Sequence, residues 1–126
     1  MNIHESAEDY LERILMIQQR KGVVYSIDIV HELNFSKPSV SVAMKRLREN
    51  GYIQMDTDGA ITLLPPGEEI AARIYSRHQL LTEFLTQLGV SSENAAADAC
   101  KIEHDISEES YERIKEVTLQ RRTAQA

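Results

Sequence analysis

The chain has 126 residues, 42% of them hydrophobic and 27% charged, and carries a formal net charge of −6. That length fits one domain or two small subdomains sharing a core, and the composition is that of an ordinary soluble globular protein. No run of 18 apolar residues exists to span a membrane, one cysteine cannot form an internal disulfide, and the acidic balance taken alone argues weakly against a nucleic-acid partner.

The polar, acidic start MNIHESAEDY has the character of neither a signal nor a transit peptide. A reducing cytoplasm suits the lone thiol, so a cytoplasmic protein is expected. The first periodic segment, residues 5–22, places Leu11, Ile14, Leu15 and either Ile17 or Gln18 at helical spacing. Arg20 and Lys21 then face the negative end of the helix, and Gly22 closes it. Residues 26–34 read as a short helix with Ser26 as its N-cap. Asn34 and Phe35 make a tight turn. Ser36 caps the next helix, which tolerates Pro38 in its first turn and buries Val40, Met44 and Leu47 before Gly51 ends it. Residues 52–64 read as two short strands around an Asp58–Gly59 turn. Helix, helix, turn, helix, hairpin is the order of a winged helix-turn-helix.

Pro65 and Pro66 mark a break, because neither fits inside a helix. A long helix is expected from Gly67 to a C-cap at Gly89, with Ile70, Ile74, Leu81, Phe84, Leu85 and Leu88 along one side. A second helix starts near Ser91 or Ser92 and runs through Asp105. A third is capped at Ser107, with Tyr111, Ile114 and Val117 inward. Only the terminal RRTAQA has the character of a frayed tail. The fold class is therefore mainly α: a winged helix-turn-helix over residues 1–64 and an all-α domain over 65–126. The second half carries more apolar surface than it can bury alone, which points to a homodimer, the commonest oligomer.

Charge is unevenly placed. Residues 36–50 hold four basic side chains, Lys37, Lys45, Arg46 and Arg48, against one acid, Glu49, a local balance of +3. A basic recognition helix on an acidic body can dock into a major groove of double-stranded DNA. Its first turn adds free backbone N–H groups and the hydroxyls of Ser36, Ser39 and Ser41 for phosphate oxygens. The bland alternative is a helix with a solvated basic face.

The segment ACKIEHDIS, residues 99–107, places Cys100, Glu103 and His104 at i, i+3 and i+4, on one face of a helix. Thiolate, carboxylate and imidazole are the main protein ligands of divalent transition ions. His78 lies mid-helix among apolar neighbours, and Asp9 and Glu12 pair at i, i+3 on the first helix. Glu5, Glu8, Asp9 and Glu12 crowd into about two turns, more negative charge than the helix dipole calls for. A divalent cation between these helices would relieve that repulsion. Each feature has an ordinary alternative: a core cysteine, a surface Glu–His pair, a hydrogen-bonded core histidine and solvated carboxylates.

Together these residues resemble the diphtheria toxin repressor family of metal-dependent regulators. The likeness rests on EDYLERI, SVSVAMKRLRENGYI, GEEIAARIYSRHQLLTEFL and CKIEHDIS, and covers nearly the whole chain. It is greatest with the manganese transport regulator branch, which has two domains and no SH3-like domain. The resemblance implies metal ligands at Asp9, Glu12, His78, Cys100, Glu103 and His104. Asp9 and Glu12 match the manganese branch. At Cys100 that branch has a glutamate, and the iron-responsive branch has the cysteine but a methionine at the Asp9 position. Thr82 and Ala96 stand where the iron branch's ancillary site needs a glutamate and a histidine. The chain is thus a hybrid. A thiolate favours Fe(II), Co(II), Ni(II) or Zn(II), while the oxygen ligands pull toward Mn(II). Mn(II) or Fe(II) is expected as the physiological cofactor, with Co(II), Ni(II) or Zn(II) able to bind in vitro. A monodentate thiolate in place of a bridging carboxylate disfavours a binuclear centre.

The implied role is repression of metal uptake genes, with the ion as corepressor setting the spacing of two recognition helices on a palindromic operator. Pro38, Ser39 and Val42 would face base edges, and Ser36, Ser41, Lys45 and Arg46 would take phosphates, beside the basic Lys37. Val42 offers only an apolar contact, such as with a thymine methyl, so specificity would draw on DNA shape. A switch based on oxidation of Cys100 is the alternative. An enzyme using the metal to activate water is the other, although nothing resembles an oxyanion hole or a phosphate-cradling loop.

Overall fold

In the computed structural model, residues 5–124 are described, with side chains from Ser6 to Thr123. The reading of the extreme N-terminus, the side chain of Glu5 and the last two residues of the tail lie outside them. The chain divides into two compact units, one ending at Arg73 and the other beginning at Ile74.

The first unit opens with α1 (Glu5–Lys21), which buries Tyr10, Leu11, Ile14 and Ile17; the ambiguity at 17 and 18 resolves to isoleucine. Gly22 takes φ +90, a left-handed value at home in glycine, and its N–H closes the helix on the Gln18 carbonyl. α2 (Ser26–Leu33) begins one residue earlier than expected, because Tyr25 and not Ser26 is the cap. Asp28 explains this: its carboxylate accepts the Tyr25 N–H at 2.9 Å and pairs with Lys21 at 2.5 Å. Arg20 pairs with Glu32, so two ion pairs hold α1 against α2. Asn34 turns the chain in left-handed geometry, and Phe35 meets the Tyr10 ring edge-on at 5.8 Å.

α3 (Lys37–Glu49) is capped by Ser36, whose oxygen accepts the Ser39 N–H at 3.2 Å. It buries Val40, Met44 and Leu47, as its spacing requires. β1 (Ile53–Met55) and β2 (Ile61–Leu63) pair antiparallel, Ile53 with Leu63 and Met55 with Ile61. Asp56 builds the tip by accepting the Asp58 and Ala60 N–H groups, both at 2.9 Å. Val24 adds a bridge to Ile61 that the sequence reading lacked. These elements share one core from Tyr10 to Ala71; each large apolar side chain fully buried there contributes about 1.5–3 kcal/mol.

α4 (Pro65–Gln87) starts two residues before the expected Gly67, at the prolines themselves. The first turn has no partner for its N–H groups, so prolines fit there and break nothing. A Cβ at Gly67 would lie 2.1 Å from the Tyr52 carbonyl oxygen; only glycine permits this approach. The boundary between the two units falls inside α4.

In the second unit α4 buries Ile74, Leu80 and Leu81, while Leu88 is exposed, contrary to its assignment to the apolar side. α5 (Ser92–Ile102) is capped by Ser91, whose oxygen accepts the Asn94 N–H. It ends before Glu103 and so is shorter than expected. α6 (Glu108–Ala124) is capped by Ser107 and continues through most of the supposed tail. It buries Tyr111 and Thr118 and half-buries Ile114, while Val117, expected inward, is exposed. The buried Thr118 hydroxyl is satisfied by donating to the Ile114 carbonyl one turn back, at 2.7 Å. Among the described residues no helix is long and apolar enough to cross a membrane.

Candidate metal centre and nucleic-acid interface

In the second unit Glu103 is the hub. Its side chain is 0% exposed. It follows the last residue of α5 but keeps right-handed helical geometry, with its N–H bonded to the Ala99 carbonyl at 3.0 Å. That extra helical residue keeps it on the Cys100 side. His78, from α4, places Nδ1 3.0 Å from Glu103 Oε2. His104, in the turn after α5, places Nε2 3.4 Å from Glu103 Oε1. Ligand atoms of His78, Cys100 and Glu103 lie within 4.8 Å of one another, close to the span of two bonds of about 2.0–2.3 Å to one ion. The expectation that Cys100, Glu103 and His104 share a helical face is amended: helix order ends at Ile102, and His104 approaches the other oxygen of Glu103.

The donor set fits a divalent transition ion. Glu103 Oε1 is buried and makes no hydrogen bond, and its contact with His104 exceeds the usual length for one. A buried carboxylate oxygen without a hydrogen bond is costly as a structural feature. Beside two imidazoles and a thiol it has the surroundings of a metal ligand.

In the first unit Asp9 and Glu12 project from α1 with carboxylate oxygens within 4.8 Å of each other. Glu8, next to them, accepts a hydrogen bond from Arg73 at 3.0 Å. Burial, aided by the Asp9 charge, pushes the Tyr10 hydroxyl above the usual tyrosine range.

The residue that sequence reasoning missed is Arg77. Only 6% exposed, it donates from Nη1 to the carbonyls of Glu103 (3.2 Å) and Ile106 (3.1 Å). From Nη2 it donates to the Glu108 carboxylate at 2.7 Å, and it lies 5.1 Å over the Tyr111 ring. One signal was available: Ile74, Arg77 and Leu81 recur at i, i+3 and i+7, so an arginine occupies the apolar stripe of α4. Thr82, at the ancillary-site position, is committed to its own helix, donating to the His78 carbonyl at 2.7 Å.

The candidate DNA-facing residues gather at the start of α3. Ser36, Lys37, Pro38, Ser39, Ser41, Val42, Lys45 and Arg46 are all exposed. Val42 is 52% exposed, so its side chain stands outside the core. The Ser36 hydroxyl also donates to Ser39 Oγ at 2.8 Å, so these two side chains present a joined polar surface at the helix N-terminus. Lys45 has only a 4.0 Å approach from Glu49.

Comparison with known proteins adds the following. Residues 2–61 match the iron dependent repressor N-terminal DNA binding domain, and residues 65–123 match the iron dependent repressor metal binding and dimerisation domain. The HTH-type transcriptional regulator MntR of Lysinibacillus sphaericus (strain C3-41) is 34% identical over 112 residues, which cover 89% of this chain and 81% of that protein. Among solved structures, the crystal structure of T. acidophilum IdeR matches with a TM-score of 0.80 and 28% identity over 92% of this chain. The structure of the manganese regulator SloR matches with a TM-score of 0.77 and 25% identity over 93%. In both cases the chain spans 54% of the solved chain's length, about half. The alternative of a switch by Cys100 oxidation finds no support among these relatives.

Proposed function

The chain belongs to the iron-dependent repressor family, that of the diphtheria toxin repressor, on its manganese-regulator branch, and from this premise we propose that it is a metal-dependent repressor of metal uptake genes. It acts on double-stranded DNA as a homodimer, with Mn(II) or Fe(II) as corepressor. It is a regulator and not an enzyme, and it works in the cytoplasm. Residues 1–64 serve DNA, and residues 65–126 serve metal and dimerisation.

The observation that carries this reading is the buried Glu103 carboxylate between His78 and His104, with Cys100 in reach. His78, Cys100, Glu103 and His104 of the second unit would hold the ion, and Asp9 and Glu12, the carboxylate pair of α1, are the further candidate ligands. When bound, the ion supplies positive charge and directional bonds that offset the repulsion among carboxylates. Without the ion, the recognition helices have no fixed spacing. With it bound, the DNA-competent arrangement gains on the order of 1–3 kcal/mol. α3 then presents Pro38, Ser39 and Val42 to base edges, while Ser36, Ser41, Lys45 and Arg46 reach phosphates and Lys37 adds positive potential.

The test is anaerobic fluorescence anisotropy on the DNA upstream of the chain's own gene and of a neighbouring metal transporter gene. Binding should be absent with chelator and appear on titration with Mn(II) or Fe(II) at fixed salt. Equal binding with chelator would remove metal from the switch.

A further inference from the structure

We propose that Arg77 is a positioning residue for the metal centre: it fixes the turn that carries Glu103 and His104, so that affinity for the ion depends on a side chain that never touches it. The inference rests on the metal-site reading above.

The ligands Glu103 and His104 lie just past the end of α5, in a turn with no helical ladder of its own beyond the Asp105 and Ile106 N–H bonds to the Ile102 carbonyl. The last carbonyls of a helix have no partner inside it. Arg77 supplies partners for two carbonyls of this turn, Glu103 and Ile106, from one Nη1 atom. Its Nη2 reaches forward to Glu108 in the first turn of α6, and its central carbon Cζ lies over the Tyr111 ring one turn further on. One buried guanidinium thus joins the end of α5, the turn and the start of α6. A lysine has no planar fork with which to reproduce these contacts.

Arg77 and His78 are consecutive in α4, and both act on Glu103. Arg77 holds its backbone carbonyl, while His78 holds its carboxylate. Main chain and side chain of the hub ligand are therefore set from one point of one helix. Partners of this kind, which orient a ligand without being one, typically change metal affinity about 10–100-fold when removed. Glu108 has the smaller part in this clamp: it is the anionic end of a pair in which the Arg77 side chain is 7% and the Glu108 side chain 67% exposed. Its removal would leave the two carbonyl bonds in place and cost less.

The experiment compares the full chain with Arg77→Met, Arg77→Lys and Glu108→Gln. Co(II) is the probe, read by its thiolate charge-transfer absorption and by competition with a chelating dye. Circular dichroism reports whether each variant is folded at the working temperature. We expect Arg77→Met to stay helical, to lose about 10–100-fold in Co(II) affinity and to show an altered cobalt spectrum. Arg77→Lys should recover part of the loss, and Glu108→Gln should lose only a few-fold. A folded Arg77→Met with wild-type affinity and spectrum would overturn the inference. Should Arg77→Met fail to fold, Arg77→Lys and Glu108→Gln decide it: wild-type affinity and spectrum in both would overturn it. Failure of wild-type protein to bind cobalt would instead overturn the metal-site reading on which it rests.

Discussion

Cys100 is the one candidate ligand that offers sulfur, where the others offer carboxylate oxygen or imidazole nitrogen. Within reach of His78 and Glu103, its sulfur is the soft donor of the set. Replacing it by glutamate adds another carboxylate oxygen, which favours Mn(II). Cys100→Glu should therefore shift the ratio of half-saturating Fe(II) to Mn(II) in DNA binding at least about tenfold toward manganese, equal to about 1.4 kcal/mol. An unchanged ratio would show that the thiol does not select the metal. Ligand atoms of His78, Cys100 and Glu103 lie within 4.8 Å of one another; residue types and spacing single out Cys100, Glu103 and His104, and the family resemblance sets His78 with them. They did not reveal the role of Arg77, because its contacts are with backbone carbonyls 26 and 29 positions away. No side-chain pattern records a carbonyl left over at a helix end.

At the scale of elements, the helices followed from apolar spacing, while their ends followed from hydrogen bonds that spacing does not show. Ser36 and Ser107 are caps as expected, whereas Asp28 moves the start of α2 to Tyr25. The prolines at 65 and 66 begin α4 and do not precede it, because a first turn has no use for their missing N–H groups. Asp28 also yields a stability prediction. The Lys21 ammonium, above all, and the Tyr25 N–H hold its carboxyl below the usual range against the opposing effect of burial. A depressed acid contributes stability that is present above its unfolded pKa and lost as pH falls through the folded one. Asp28→Ala should cost on the order of 1–2 kcal/mol at neutral pH, and urea unfolding should show the gap to wild type closing as the solution is acidified. For α3, Arg46 is an exposed cation, and it is assigned to phosphate. Arg46→Ala should weaken all DNA sequences about equally and reduce the salt slope of log Kobs by about 1, measured by anisotropy from low to high salt. A loss confined to one operator sequence would place Arg46 on a base edge instead.

The whole molecule must present two recognition helices at once, which makes dimerisation part of DNA affinity. Its net charge of −6 opposes close approach to DNA, and the +3 balance over residues 36–50 is too local to bind tightly through one head. The second unit offers a place to join two copies. Gln87, at the end of α4, donates to the Thr118 carbonyl of α6 at 3.1 Å, so the next residues along, Leu88 and Leu119, belong to one corner of that unit. Leu88 is 53% and Leu119 39% exposed, and Val117 nearby is exposed as well. Apolar side chains grouped at a surface mark an interaction site, and in a domain matched to a dimerisation domain the partner is a second copy. Leu88→Lys together with Leu119→Lys should place like charges in that contact and leave the fold of each unit intact, since neither side chain is in the core. Sedimentation equilibrium should then find monomer at concentrations where the wild type is dimeric. Binding to a palindrome should fall toward that of a single half-site, a loss of about 10²–10⁴ when two linked sites become one, while Co(II) affinity per chain is retained. A variant that remains dimeric would move the contact to another face of the unit.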